Sequence, residues 1–87
     1  MIDEFLGESV VVDLRSSYVC LGTLKNIGES YLELHNADLH DLRDTETTRE
    51  LYVVESFNTG IKRNRRRVFI AVADVVAVSK LTDVVDE

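Results

Sequence analysis

Apolar and polar positions in this chain fall into short blocks, and most of the blocks predict strands. The densest lie near the end, Val68–Ala71 and Val75–Val78, separated by Val72, Ala73 and Asp74. Both are rich in β-branched residues, which suit a pleated and largely buried surface. They read as two strands around a tight bend, or as one strongly kinked strand. Upstream, Val10, Val11, Val12 and Leu14 predict a first strand, interrupted by Asp13 and Arg15. Tyr18–Ile27 predicts a longer second strand containing Gly22, and a glycine inside such a pattern marks a sharp bend or a close backbone approach. Tyr31–Leu42 opens with alternation, Leu32 and Leu34 on one face, Glu33 and His35 on the other. Its later part, Asn36–Leu42, is less regular and is expected to bulge or turn outward.

Helical signals are fewer. Met1–Gly7 predicts a short N-terminal helix or turn that packs through Phe5 and Leu6. Val53, Val54, Phe57 and Ile61 fall within an arc of roughly 100° at helical spacing, the width of an apolar stripe. A helix is therefore expected over Thr47–Gly60, with Gly60 where a C-terminal cap belongs. Leu51–Val54 as a strand is the competing reading, because short β-branched runs fit either. Thr45 and Asp44 are the candidate N-caps. The order is a helical start, three strands, a long insertion over 36–67 that carries the inserted helix, two strands, and an acidic tail over 82–87 expected to fray. Five strongly bent strands closing on themselves make a small barrel, here within a single domain, 1–87.

Composition adds a stability problem. A chain of 87 residues buries only about 60–65% of the surface it exposes when unfolded, so alone it is marginal. Assembly with copies of itself relieves that. The single Cys20, flanked by Val19 and Leu21, excludes an internal disulfide and reads as a reduced, buried thiol. No charged-then-apolar leader opens the chain, and no apolar run approaches the ~20 residues of a membrane span. A cytoplasmic protein without a membrane partner is expected.

Charge is unevenly spread around a net −6. Residues 1–50 hold eleven acidic and four basic side chains; residues 51–87 hold five acidic and six basic. Five of those six, Lys62, Arg63, Arg65, Arg66 and Arg67, form the run KRNRRR. The overall acidity argues against indiscriminate binding to polyanions, but a local cationic patch is compatible with phosphate when the acidic face points elsewhere. Arginine suits that role because its planar fork donates two hydrogen bonds at once. If Arg65, Arg66 and Arg67 enter the fourth strand, alternation separates Arg66 from the other two. Pairing with this chain's many carboxylates, within or between subunits, is the other reading of the run.

The strand order and a set of marks together resemble the Sm-like superfamily, the group of the Sm, LSm and Hfq proteins. The first family motif maps to Ser9–Leu34, through Val11 and Leu14, then Tyr18, Gly22 and Leu24, then Leu32 and Leu34. The second maps to Val68–Val78, through Phe69, Ile70, Val75, Val76 and Val78. The resemblance implies a five-stranded, strongly bent Sm-like (SH3-like) barrel with an N-terminal helix; with the helix expected between strands three and four, which would be peculiar to this branch, the fold class is mainly β with short helices. It also implies a homo-oligomeric ring in which strand four of one subunit pairs with strand five of the next, and an association with single-stranded RNA. Family members that bind uridine-rich RNA carry an Asp and an Asn around the turn before strand three, and an Arg-Gly or Lys-His pair between the last strands. This chain offers Asn26, Gly28 and Glu29, with Tyr31 where the second polar residue would fall, and Ala71-Val72-Ala73-Asp74 at the other turn. It reads as a divergent member lacking the usual pocket. Asn26 and Tyr31 join the basic run as candidate nucleic-acid contacts, Tyr31 as a stacking face or as a plain rim tyrosine.

Other chemistry is thin. His35, Asp38, His40 and Asp41 are residue types that bind zinc, but their spacing matches no recognised site, and on a continuous strand His35 and His40 face opposite ways. A thiol in apolar surroundings is inert, and no phosphate-cradling loop or serine nucleophile motif is present. The expectation is a non-enzyme with no cofactor and no metal. It binds single-stranded RNA or other nucleic acid through the arginines; the alternative is a homo-oligomeric scaffold whose inserted helix and acidic face hold a protein partner.

Overall fold

The computed structural model describes residues 1–44 and 46–85. A 3-10 turn over Ile2–Phe5 is followed by β1 (Ser9–Leu14), β2 (Tyr18–Ile27) and β3 (Tyr31–Asp41). A helix, α1 (Arg49–Thr59), leads to β4 (Arg65–Ala71), a 3-10 turn over Val72–Asp74, and β5 (Val75–Lys80). The strands form one sheet in the order β4-β3-β2-β1-β5, and every neighbouring pair is antiparallel. The two C-terminal strands therefore do not pair with each other. The tight turn between them sends one to each end of the sheet.

Curvature has identifiable sources. The β1–β5 register shifts between Asp13 and Leu14, and the β2–β3 register shifts twice, beside Gly22 and beside Lys25. Such bulges bend a strand and increase its twist. Opposite Gly22, Asn36 takes a positive φ of 51°, a region that asparagine tolerates better than most residues. A Cβ on Gly22 would stand 2.9 Å from the Cβ of Ala37 and 3.1 Å from the His35 carbonyl oxygen. The glycine thus marks a close approach of β2 and β3 at the bend.

Two apolar layers result. Inside the curve, Val10, Val12, Cys20, Leu24, Leu32, Leu34, Ala37 and Ile70 form the main core. On the outer face Val11, Val19 and Leu21 pack against Val53 of α1, with Tyr52, Ile61, Leu81 and Val84 around them. The helix presents Val53 and Ser56 to the sheet, while Phe57, expected in the buried stripe, is exposed. Polar anchors decide that rotation. Tyr52 donates to Asp38, and Arg49 donates to the carbonyls of Tyr18 and Ser16 at 3.3 Å each.

Several expected boundaries move. β3 continues through Asp41 instead of giving way to an insertion at residue 36, because the bulge at Asn36 absorbs the irregularity. The connection to β4 therefore spans 42–64. The bulge also reverses the parity of β3: Leu32 and Leu34 face the core before it, Ala37 and Leu39 after it. The N-cap of α1 is Thr48, whose side chain accepts from Leu51 N at 3.1 Å. Asp44 ends a separate 3-10 turn, and Thr45 lies outside the described residues. Gly60 ends the helix at a φ of 94°, as its position predicts. The N-terminal helix is a single 3-10 turn whose Phe5 packs on the core. In the acidic tail, Leu81–Asp83 make a 3-10 turn and Val84 packs under α1; Asp86 and Glu87 lie outside the described residues. No described helix is long and apolar enough to cross a membrane.

Candidate nucleic-acid interface

The basic run begins just after the cap of α1 and enters β4, so Arg65, Arg66 and Arg67 are the first three residues of an edge strand. Its one uncharged member fixes it in place. Asn64 accepts from Leu39 N at 3.0 Å and donates through Nδ2 to Asp38 Oδ1 and to the Leu39 carbonyl, both at 3.1 Å. Its own N–H donates to Ala37 O at 2.8 Å. One side chain thus extends the β3–β4 ladder and satisfies a buried carboxylate, which tethers the flanking cations to rigid backbone.

Lys62, Arg63, Arg65, Arg66 and Arg67 are all exposed. Arg63 donates to Asn36 Oδ1 at 3.0 Å and Arg65 to the Asn64 carbonyl at 3.1 Å. The Arg67 guanidinium lies 5.4 Å from the centroid of the Phe69 ring, on the same side of the strand. Among the described residues the ion pairs are Met1–Glu4, His35–Glu33, Arg43–Asp41 and Arg49–Asp13. None involves the run. Five cations held close together, with no carboxylate partner among the described residues, repel one another, and an anion relieves that repulsion.

Asn26 and Tyr31 stand elsewhere. Tyr31 opens β3 opposite Ala71, while Arg67 sits opposite His35, four rungs away and so roughly 13 Å along the strand. Asn26 is exposed on β2, paired with Glu33. The β2–β3 turn is closed by Gly28 N donating to Tyr31 O at 2.8 Å, and Val72 N donates to Ser30 O at 2.8 Å. That bond ties the turn before β3 to the turn before β5. The candidates predicted from sequence therefore separate into two places: a cationic edge at the start of β4, and a turn cluster with Tyr31 at its lip.

Arg15, which interrupts the first apolar block of the sequence, belongs to the second place. Its Nε donates to Ala73 O at 2.9 Å and its backbone N–H to Asp74 O at 2.9 Å. A hollow of about 450 Å³ opens beside it, lined by Arg15, Tyr31, Phe69 and Asp74 over a floor that includes Leu14 and Ile70. The only signal in the sequence was an arginine at a turn; that this turn meets the β4–β5 turn depends on β1 pairing with β5.

The other polar candidates are occupied. Asp38 accepts from Tyr52 and Asn64, and burial first, then that hydrogen bond, pushes the Tyr52 hydroxyl well above its ordinary pKa. The Tyr52 ring stacks on His40 with centroids 4.2 Å apart. His35 Nε2 lies 2.7 Å from Glu33 Oε2. The Arg43 guanidinium holds Asp41 well below the usual carboxylate range. Because of the bulge His35 and His40 share the outer face, contrary to the expectation for a continuous strand. Even so, no group of three or more His, Cys, Asp or Glu among the described residues is placed to hold a metal. Burial, reinforced by Asp38, pushes the Cys20 thiol up to about 12, as expected of an inert core cysteine.

No protein-family model and no curated protein matches the chain. Solved structures do. An Sm protein of Pyrococcus abyssi, determined in complex with a uridine heptamer, superposes with a TM-score of 0.62 at 17% identity, covering 91% of this chain and 90% of that one. A heptameric archaeal Sm protein superposes with a TM-score of 0.60 at 18% identity, covering 91% of this chain and 93% of that one. At such identities the likeness establishes the fold.

Proposed function

We propose, from the Sm-like fold that this chain adopts, that it forms a closed ring of identical subunits and binds single-stranded RNA through the cationic edge. One observation carries the reading: β4 and β5 occupy opposite ends of one sheet, each with an unpaired side and an exposed apolar residue, Phe69 at 53% and Val76 at 66%. An unpaired strand edge is a template for another strand. Pairing β4 of one subunit with β5 of the next satisfies both edges at once and buries apolar side chains that the single chain leaves in water. A heterologous contact of this kind closes into a ring when its rotation permits, and one of the two archaeal Sm structures is heptameric.

Assembly also repeats Lys62, Arg63, Arg65, Arg66 and Arg67 around one axis, which makes a continuous cationic belt on an otherwise acidic protein. The uridine heptamer in the other archaeal structure supports single-stranded RNA as the polyanion, and the absence of ion pairs on the run among the described residues supports phosphate as its partner. The exposed Leu51 and Phe57 on α1, beside Glu50 and Glu55, favour the second reading, a ring that presents its helix to a protein.

A salt titration separates the two. Wild type is expected to bind labelled single-stranded RNA at low salt and to weaken steeply as salt rises, with light scattering reporting an oligomer. Changing Arg65, Arg66 and Arg67 to Ser removes about 1.4 from the slope of log affinity against log salt, since each phosphate contact on a single strand contributes about 0.7 and only Arg65 and Arg67 share a face of β4. Absence of low-salt binding by a well-assembled wild type sinks the RNA reading and leaves the scaffold.

A further inference from the structure

We infer that the hollow between α1 and β5 is a socket for Phe69 of a second copy of this chain, so that the inserted helix clasps the neighbouring subunit. This rests on the ring reading above and adds a side-chain contact to the strand pairing. The helix has two unlike flanks. Toward β3 it is polar and satisfied: Tyr52 donates to Asp38, and Ser56 donates to the Tyr52 carbonyl. Toward β5 it is apolar and open. There Val53 and Val54 stand across a hollow of about 200 Å³ from Ser79, Val84 and Val85.

Small side chains on β5 keep that hollow open. Ala77 pairs with Asp13 and Ser79 with Val11. Directly paired residues share a face, and Val11 packs under the helix, so Ala77 and Ser79 lie on the helix side of the sheet. A strand added at the β5 edge lays its own outer-face side chains beside them. On β4 those include Arg67, opposite His35, and Phe69, opposite Glu33, on the face away from the core residues Leu32 and Leu34. Phe69 is the one aromatic residue of β4. An apolar cavity of about 150 Å³ already takes a benzene ring, so the hollow has room for it. Charge agrees: Asp13 and Glu50 line the hollow, and the arriving edge carries Arg67 beside Phe69. Opposite signs steer that edge to this flank.

The test co-expresses two full-length variants, Phe69→Cys and Val54→Cys, and treats the product with a short bismaleimide; the native Cys20 is fully buried. A covalent dimer is expected on a denaturing gel from the pair. None is expected from either variant alone, or from Phe69→Cys paired with Thr59→Cys on the opposite flank of the helix. In light scattering, Phe69→Ala should weaken subunit association about 10- to 150-fold, as for an apolar side chain that loses its burial. Adding Val54→Ala should then cost less than it does in wild type, because the two side chains meet. An oligomer that gives no Phe69–Val54 cross-link, or as much with Thr59→Cys, overturns the socket and leaves the ring standing. Fully additive losses do the same. A wild type that stays monomeric at every concentration overturns ring and socket together.

Discussion

The centre of the sheet and its two edges are built from the same residues and meet opposite fates. Val12 on β1 is fully buried; Val76 on β5, in an equally β-branched run, is 66% exposed. β1 and β2 are hydrogen-bonded on both sides, with the main core on one face and α1 on the other. β4 and β5 have one neighbour each. Fully burying a valine contributes about 1.5–3 kcal/mol relative to leaving it in water, so most of what Val76 offers goes unused in the single chain. Composition makes a strand; its place in the sheet order decides whether the single chain completes its burial or leaves it open.

The sharpest way to break that distinction is to truncate one residue of each kind. Leu34→Ala, in the centre, should lower stability by about 2–5 kcal/mol, and should shift the denaturation midpoint at every protein concentration. Val76→Ser should change the stability of the isolated protomer by no more than about 0.5 kcal/mol, as expected of an exposed position. Its effect should appear in assembly: the midpoint of wild type rises with protein concentration through mass action, and the variant loses that rise. Equal, concentration-independent losses in both variants would mean that β5 is not an open edge.

A smaller effect tests how tightly the centre is bent. Gly22→Ala places a methyl group 2.9 Å from Ala37 Cβ, with backbone atoms of Ala37 and His35 at 3.1 Å, so β2 and β3 must part. Overpacking of this kind costs about 1–3 kcal/mol. Adding Ala37→Gly removes the nearest atom and should recover part of the loss by thermal melting, but not all of it, because the backbone contacts stay. Full tolerance of the single variant would show that the bend is loose.

The same contrast explains what could be read in the sequence. The strands and their order were legible because β-branched runs and the glycine in Tyr18–Ile27 are local signals. The destination of the last two strands was not. Val68–Ala71 and Val75–Val78 look like a hairpin when only their own residues are considered, and no local pattern says that β5 must reach β1. The facing of α1 was hidden for a related reason: Val53, Val54, Phe57 and Ile61 are the apolar stripe, but Tyr52 and Arg49 find polar partners on the sheet, and those partners turn Phe57 outward. At the candidate interface the cationic run was plain, since five basic residues in six positions need no fold to be seen. Asn64, which anchors the run, and Arg15, which joins Tyr31 across the sheet order, acquire their roles only from contacts far apart in sequence.

The gentlest perturbation acts on the cover of the centre. An isolated helix of eleven residues is marginal in water, so α1 (Arg49–Thr59) persists because it is capped and docked. Thr48→Ala removes the acceptor of Leu51 N and should cost about 1 kcal/mol. If helix and sheet are separable layers, native-state hydrogen exchange will show the loss in the first turn of α1, with β1 and β2 amides as protected as before. Val53 packs directly on Val11, Val19 and Leu21, however, and Arg49 reaches the β1–β2 turn. These contacts argue for one cooperative unit, in which the protection of β1 and β2 falls by the same amount as that of α1. The expected outcome is the second, with β4 and β5, which have no contact with the helix in that cluster, losing less. A helix that exchanges alone would place α1 with the edges, as a part whose burial the single chain leaves unfinished.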